Sequence, residues 1–311
     1  MDRKQFIWVE QYRPRTIDEC ILPDNLKQTF NTLVEKGEII NMILSGGPGT
    51  GKTTVARALC ETLGSDYIII NGSETRGIDM VRSQVGGFAG TVSTNGKPKV
   101  VILDEADYIT PEAQAALRNL IESTSANCRY IMTCNFKHRI IAPLHSRTSV
   151  IDFDFTKKEI PQLAAGFAKR IVNILQQENV EYSMPSVLEV VKQYFPDNRR
   201  ILNELQRYSN INGKIDSGVI SILNSSKVSN LITFLKKGDF KSCRQFIADN
   251  PDPDNLFNDL YENMSEYVQD DSIPYLVLLL GEYQHKSALC ANQEINLAAF
   301  CVETIKSVKF R

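Results

Sequence analysis

The sequence has 311 residues, of which 42% are hydrophobic and 23% charged, and its formal net charge is −2. This length allows two or three domains, each with its own hydrophobic core. The near-neutral charge excludes a surface that is basic all over, so any contact with DNA must be local. The seven cysteines form no CxxC pair, which argues against a zinc module.

The first half of the chain alternates strand-like apolar runs with helical patterns. Segments 53–63 and 111–123 carry apolar residues at helical spacing. The β-rich runs of strand length lie at 42–45, 67–70, 99–103, 130–133 and 149–153. Because runs this apolar suit strands buried on both faces, the alternation predicts a parallel α/β sheet.

After residue 155 the strand signal fades. Residues 157–208 favour helices, with breaks near 183–185 and 196–197. A Gly- and Ser-containing stretch at 212–226 indicates the next boundary, and the pattern from 227 onward is helical, with a turn at 250–254. We therefore expect an α/β domain at 1–155, a small helical domain at 156–213 and a helical C-terminal domain at 214–311.

A phosphate-binding loop is predicted at residues 46–53, which read GGPGTGKT and match the pattern GxxxxGK[ST] between a strand and a helix. Glycines let successive backbone N–H groups point at a phosphate, and the following helix adds its positive end. Lys52 would reach the β- and γ-phosphates of ATP, and Thr53 would ligate Mg²⁺. We expect the nucleotide to contact Gly49, Thr50, Gly51, Lys52, Thr53 and Thr54.

Two acids follow the third apolar run, in the sequence VVILDE at 100–105. An apolar strand that ends in acids places carboxylates at the edge where open α/β sheets bind ligands. Asp104 would hold the magnesium ion, and Glu105 would orient and activate the attacking water. The sequence thus predicts an ATP hydrolase.

Several further segments together resemble AAA+ clamp loaders of the replication factor C type. They are WVEQYRP at 8–14, NGSETRGID at 71–79, DEAD at 104–107, AQAALR at 113–118, TCN at 133–135, SRT at 146–148 and PDNRR at 196–200. The chain departs from the family pattern at Gln11 and Thr148, and no glycine precedes Asp197. Within the family, the compact length and the segments TIDECILP at 16–23 and FPD at 195–197 look most like the large subunits of T-even-type bacteriophages. It implies a five-stranded RecA-like AAA+ domain, a helical lid and a helical oligomerisation collar.

The resemblance also implies roles for residues outside the phosphate loop. Asn135 would hold the attacking water, and Arg199 would couple closure of the lid to the γ-phosphate, although Arg200 could take that role. Arg147 would act as an arginine finger in the site of a neighbouring subunit, unless it forms only a surface salt bridge. The residues expected to line the adenine pocket are Val9, Glu10, Gln11, Tyr12 and Ile21.

The resemblance further implies primer-template DNA as a partner. Arg76, Arg82 and the amino end of the helix after Thr110 would grip its phosphates, although two arginines alone are more typical of a solvated surface. Segment 86–89 would either dock into a sliding clamp or pack on its own domain. The expected partners also include a second, smaller loader subunit and further copies of this chain in a ring, which is expected to be pentameric.

The function predicted is that of the ATPase subunit of a sliding-clamp loader. A translocating AAA+ motor, such as a branch-migration helicase, would share the phosphate loop, both acids and the finger. A scaffold subunit that does not hydrolyse ATP would lack Lys52, Glu105 or Asn135. Scattered cysteines without a signal peptide favour the cytoplasm, that of the host if the protein is viral, and no apolar run is long enough to span a membrane.

Overall fold

The computed structural model describes residues 7–93, 96–219, 228–249, 253–287, 290 and 292–311. The chain divides into two compact units, Met1–Ser217 and Gly218–Arg311, and each is described by itself. In this described part, no helix combines the length and the hydropathy that a membrane span requires.

The first unit is built on a sheet of five parallel strands in the order β2–β3–β4–β1–β5. The strands are β1 (Met42–Ser45), β2 (Tyr67–Asn71), β3 (Lys99–Asp104), β4 (Cys128–Cys134) and β5 (Ser149–Asp152). All five predicted runs form strands, and their ends differ from the prediction by at most two residues. Because the strands are parallel, their carboxyl ends meet at one edge of the sheet.

Side chains of the central strands alternate between two buried layers. Met42 and Leu44 of β1 belong to one hydrophobic cluster, and Ile43 belongs to the other. Helices α2 (Asp24–Lys36) and α3 (Lys52–Leu63) cover the first cluster, and α6 (Pro111–Ser123) covers the second. Covering both faces explains why these strands are apolar throughout.

The segment after β2 forms a composite helix against the second cluster. It consists of α4 (Ile78–Met80), a π-helical stretch (Val81–Val85) and α5 (Gly86–Ala89). Phe88 packs against the second cluster, and its ring centroid lies 4.6 Å from Lys99 Nζ. Segment 86–89 therefore packs on its own unit in this structure.

Short elements complete the α/β part of the unit. Helix α1 (Trp8–Gln11) lies near the amino end, and α7 (Ala142–His145) precedes β5. Two 3₁₀ turns, Ala106–Tyr108 and Lys137–Arg139, follow β3 and β4. These turns give the loops at the carboxyl edge of the sheet a defined backbone.

Three helices follow the sheet in the first unit, in the segment expected to form a lid, and are called the lid below: α8 (Ile160–Gln177), α9 (Met184–Tyr194) and α10 (Asn198–Asn212). The predicted break at 196–197 lies between α9 and α10, and the break near 183–185 coincides with the start of α9. Strand β6 (Glu181–Tyr182) pairs in parallel with β7 (Lys214–Ile215), and no sequence pattern indicated this pair. A pair of two-residue strands has no periodicity for a sequence pattern to detect.

The second unit is helical, as predicted. Its helices are α11 (Val228–Lys237), α12 (Phe240–Asp249), α13 (Pro253–Tyr267), α14 (Ile273–Ser287) and α15 (Gln293–Ser307). The ring of Phe300 meets Phe257 and Tyr283 edge-on, with centroids 5.2 Å and 5.6 Å away, at the centre of the core. Residues 250–252 of the predicted turn and 220–226 of the predicted boundary lie outside the described residues.

Candidate active site

The phosphate loop lies between β1 and α3, as the motif requires. Lys52 is buried at the first position of α3, and its Nζ donates to the carbonyl oxygens of Gly46 and Gly47, each at 2.7 Å, and to Asn135 Oδ1 at 3.0 Å. Burial lowers the pKa of Lys52 because it disfavours the charged ammonium. The ammonium of Lys52 therefore lies at the opening of the phosphate loop. A phosphate bound there would replace the neutral oxygen atoms that the ammonium now contacts.

The first acid of the predicted pair lies beside the loop. Thr53 Oγ1 donates to Asp104 Oδ1 at 2.6 Å, and the Thr133 hydroxyl donates to the same oxygen. Two hydroxyl donors from α3 and β4 therefore fix the carboxylate at the end of β3. The side-chain oxygen atoms of Thr53, Asp104 and Thr133 therefore lie together beside the phosphate loop.

Glu105 directly follows β3 in an unusual backbone conformation. Its φ of 54° and ψ of 45° lie in the left-handed region, which non-glycine residues rarely adopt. Its backbone N–H donates to Thr133 Oγ1 at 3.1 Å. The residue lines the same cavity as Lys52 and Asp104.

Asn135 follows β4 and is held by a buried carboxylate. Asp107 Oδ2 accepts hydrogen bonds from the backbone N–H groups of Asn135, at 3.3 Å, and Phe136, at 3.1 Å. Asp107 is only 6% exposed, so this interaction is shielded from water. It fixes the loop that presents the Asn135 amide to Lys52.

A single cavity joins these groups to the N-terminal segment and the lid. Of the predicted adenine-pocket residues, Val9, Tyr12 and Ile21 line it. The side chains of Glu10 and Gln11 do not: Glu10 forms an ion pair with Arg13, and Gln11 Nε2 donates to Glu178 Oε1 at 2.9 Å. The predicted phosphate-contacting residues on its lining are Gly49, Thr50, Gly51, Lys52, Thr53 and Thr54.

The lid meets the phosphate loop at the start of α10. The backbone N–H of Asn198 donates to the carbonyl oxygen of Gly49 at 3.1 Å. Arg199 lines the cavity, whereas the Arg200 guanidinium lies over the ring of Tyr194, 4.4 Å from its centroid. Of the two adjacent arginines, Arg199 is the one that the structure directs to the site.

Arg147 lies away from this cavity and has an acidic partner within its own chain, which no sequence motif indicated. Its Nε donates to Glu122 Oε1 at 2.6 Å, and its Nη2 also contacts that oxygen. Its Nη1 donates to the Pro143 carbonyl at 2.8 Å and to Ser146 Oγ at 3.1 Å. The side chain is 29% exposed, so the guanidinium lies at the surface of its unit.

The residues predicted to contact DNA lie on two adjoining loops and on the π-helical stretch. The backbone N–H of Thr110 donates to the Arg76 carbonyl at 3.1 Å, so the loop before α4 meets the start of α6. Thr110 caps α6 by accepting from the Ala113 N–H. Arg76 is exposed, and its Cζ lies 5.6 Å from the centroid of the Tyr108 ring. Arg82 is also exposed and lies on the π-helical stretch.

Sequence reasoning missed several residues of the site. Arg13 lines the cavity and donates to Thr54 Oγ1 at 3.2 Å. Arg170 of α8 also lines it, and donates to the carbonyl oxygens of Tyr12, at 2.6 Å, and Glu19, at 2.8 Å. Asp107 and Arg13 lie inside the motifs DEAD and WVEQYRP, which could have signalled them, whereas nothing around Arg170 distinguishes it from a surface helix residue.

Comparison with family models matches residues 42–156 to the ATPase family associated with various cellular activities (AAA). Residues 163–221 match the AAA+ ATPase lid domain of the sliding-clamp-loader large subunit. Among solved structures, the Holliday junction branch migration motor RuvB of Thermotoga maritima has a TM-score of 0.55 at 18% identity, over 72% of this chain and 78% of that chain. At that identity, the similarity is one of fold alone.

Curated relatives match along nearly the whole chain. The sliding-clamp-loader large subunit of Escherichia phage RB69 is 38% identical over 308 residues, or 96% of this chain and 95% of that protein. The large subunit of Enterobacteria phage T4 is 35% identical over 97% of each chain. The replication factor C small subunit of Archaeoglobus fulgidus is 34% identical over 94% of this chain and 95% of that protein. The chain therefore belongs to the sliding-clamp-loader large-subunit family of AAA+ ATPases.

Proposed function

We propose that this protein is the ATPase subunit of a sliding-clamp loader that acts in DNA replication. In this proposal, ATP binding opens the clamp and loads it onto primer-template DNA, and DNA-stimulated hydrolysis releases it. The observation that carries the proposal is the convergence of Lys52, Asp104 and Asn135 on one cavity, in a chain whose lid matches the clamp-loader lid.

Lys52, Glu105 and Asn135 of the cavity would have different roles in hydrolysis. Lys52 would exchange its contacts with the loop carbonyls for the β- and γ-phosphates. Glu105 would orient the attacking water and accept its proton, and Asn135 would hold that water in line. Because γ-phosphate transfer depends mainly on positioning and charge stabilisation, the fixed backbones at Glu105 and Asn135 favour this assignment.

The oxygen atoms beside the loop fit magnesium. Mg²⁺ prefers hard oxygen ligands, and the Thr53 hydroxyl and Asp104 carboxylate lie 2.6 Å apart. The Thr133 hydroxyl fixes the carboxylate from a second element. When bound, the ion would neutralise charge on the phosphates. We assign Thr53 and Asp104 as the residues that hold it.

Two arginines would contact the γ-phosphate of ATP, one in its own site and one in the site of a neighbouring subunit. Arg199 lines the cavity from the lid, so a nucleotide that contacts it favours the closed lid. Arg147 would reach the nucleotide of a neighbouring subunit, where an arginine finger is worth about 10³- to 10⁵-fold in rate. Because Arg147 lies outside its own cavity, this role requires an assembly.

The partners follow from the same assignment. We infer that copies of this chain assemble with a second, smaller subunit into a pentameric ring, which binds the clamp and primer-template DNA. Arg76 and Arg82 are exposed, and Arg76 adjoins the amino end of α6, which suits phosphate contacts that follow shape and charge. Since two of the relatives are phage proteins, we place this activity in the cytoplasm of an infected host.

Three measurements of ATPase rate test the proposal. The assembled loader is assayed alone, with its clamp, and with clamp plus primed DNA. We expect each addition to increase turnover. A translocating motor would not respond to the clamp alone, and a scaffold subunit would show no hydrolysis under any condition.

A further inference from the structure

The guanidinium of Arg147 is held at four points before any neighbour arrives. A guanidinium has five N–H groups. Nε donates to Glu122 Oε1, and Nη1 donates to the Pro143 carbonyl and to Ser146 Oγ. Nη2 contacts Glu122 Oε1 as an ion pair. Among the residues that the structure describes, Nη2 has no other acceptor, so it is left to meet an external one.

The acceptors belong to elements anchored in the core. Glu122 lies in the last turn of α6, directly after Ile121, which is 3% exposed. Ile121 follows the fully buried Leu117 by one turn of the helix. Pro143 lies in α7, beside the fully buried Leu144. Thr148 Oγ1 donates to the Leu144 carbonyl at 2.8 Å, which ties the residue after Arg147 to the same helix. The arginine is thus clamped between two packed helices.

We propose that Glu122 is a positioning residue for Arg147, an inference that rests on the proposed role of Arg147 as a trans finger. A free arginine side chain loses much rotamer freedom when it is fixed on a phosphate. Glu122 restricts the Arg147 side chain before the subunits assemble. The guanidinium is therefore already oriented when it enters the neighbour's site. One carboxylate oxygen holds both Nε and Nη2, and the side chain remains 29% exposed, so the guanidinium is still accessible to a neighbouring subunit.

The opposite role for Glu122 would be that of a restraint. A carboxylate that competes with the neighbour's γ-phosphate would hold the finger back, and its removal would speed hydrolysis. The geometry favours positioning because two of the four contacts come from Pro143 and Ser146, which carry no negative charge and would persist in either state. The sign of the change in turnover separates the two roles.

The test is a double-mutant cycle between Glu122→Ala and Arg147→Ala in the assembled loader. Turnover is measured with clamp and primed DNA, and by single-turnover hydrolysis of labelled ATP where it is slow. We expect Glu122→Ala to lower turnover about three- to tenfold, the scale of an ordered arginine and one surface ion pair. The dissociation constant for ATP should not change, and Glu122→Gln should fall between the wild type and Glu122→Ala.

In the Arg147→Ala background, Glu122→Ala should have no further effect, since there is no finger left to position. Equal reductions in both backgrounds, or normal or faster turnover of Glu122→Ala, would overturn the inference while leaving the trans finger intact. A normal rate for Arg147→Ala itself would instead overturn the proposed function of that residue. Glu35→Ala, which removes an exposed glutamate from α2, is the matched control and should behave like the wild type.

Discussion

The backbone N–H of Asn198 donates to the carbonyl oxygen of Gly49, so the first turn of a lid helix rests on the phosphate loop. The neighbouring Asp197 is equally close: a Cβ added to Gly49 would lie 1.8 Å from Asp197 Oδ1 and 2.9 Å from its Cα. Gly49 also has a φ of +70°, a conformation that residues with a Cβ rarely adopt. Closure of the lid at this point therefore requires glycine.

Gly49→Ala is expected to displace the lid and weaken ATP binding. The substitution adds the strain of a positive φ, about 1–2 kcal/mol, and an overlap with the backbone of Asp197. Gly37→Ala is a matched control, because Gly37 has a φ of +67° with no atom within 4 Å of an added Cβ. Chemical denaturation and ATP titration should show a decrease in ATP affinity for Gly49→Ala alone; equal behaviour of the two variants would contradict the proposed effect on the lid.

Glu105→Gln is expected to retain ATP binding and to lose hydrolysis. The amide keeps the size of the side chain but cannot accept the proton of the attacking water, so turnover should fall at least about a hundredfold. The loader should then accumulate bound to its clamp. ATP affinity and turnover are measured together, and near-normal turnover would assign activation of the water to another group.

Asp107→Ala is expected to destabilise the first unit, whereas Asp107→Asn should be tolerated. Alanine leaves the N–H groups of Asn135 and Phe136 without their acceptor, at a total cost of about 1–3 kcal/mol, because both residues are partly exposed. Asparagine supplies one oxygen, and a single oxygen, Oδ2, accepts both bonds in the structure. The free energy of unfolding of both variants is measured; a larger decrease for asparagine would mean that the negative charge matters more than the acceptor.

Arg76→Ala combined with Arg82→Ala is expected to weaken the stimulation of hydrolysis by DNA. Removing one arginine–phosphate interaction should reduce the slope of log affinity against log salt by about one unit on duplex DNA. Hydrolysis without DNA should continue, because neither residue lines the nucleotide cavity. Arg244→Ala, at an exposed arginine of the second unit, provides the control. An unchanged slope in the double variant would mean that both arginines face solvent.

Mixing Arg147→Ala subunits with Lys52→Ala subunits is expected to restore part of the activity that each variant lacks alone. The first variant keeps an intact phosphate loop, and the second keeps an intact finger, so some interfaces of a mixed ring pair the two. Hydrolysis is measured across mixing ratios. If mixed rings remain inactive while each variant assembles normally, Arg147 does not act on a neighbour.

The sequence predicted those parts of the molecule that depend on local pattern. The interior strand β1 has four buried residues in succession, so its apolar run marks it without any knowledge of its neighbours. The phosphate loop is likewise local, because Lys52 and Thr53 need only the correct strand and helix around them.

Contacts between distant segments were not predictable in the same way. The pairing of Glu122 with Arg147 spans 25 residues, and Asn198 lies about 150 residues from Gly49 in the chain. Each depends on how α6, α7 and α10 pack, which no single segment encodes. Glu10 shows a different limit: its motif suggested the adenine pocket, but a local ion pair with Arg13, three residues away, holds its carboxylate.

The left-handed backbone of Glu105 has a consequence for how this chain could change over many generations. Among the described residues, the other non-glycine residue with a positive φ is Asn179, a type that tolerates the conformation. Glutamate at 105 costs about 1 kcal/mol or more relative to glycine or asparagine. A copy of this gene released from the need to hydrolyse ATP would therefore gain stability by drifting to one of those residues, and position 105 would be an early place to detect a subunit that has become a passive member of its ring.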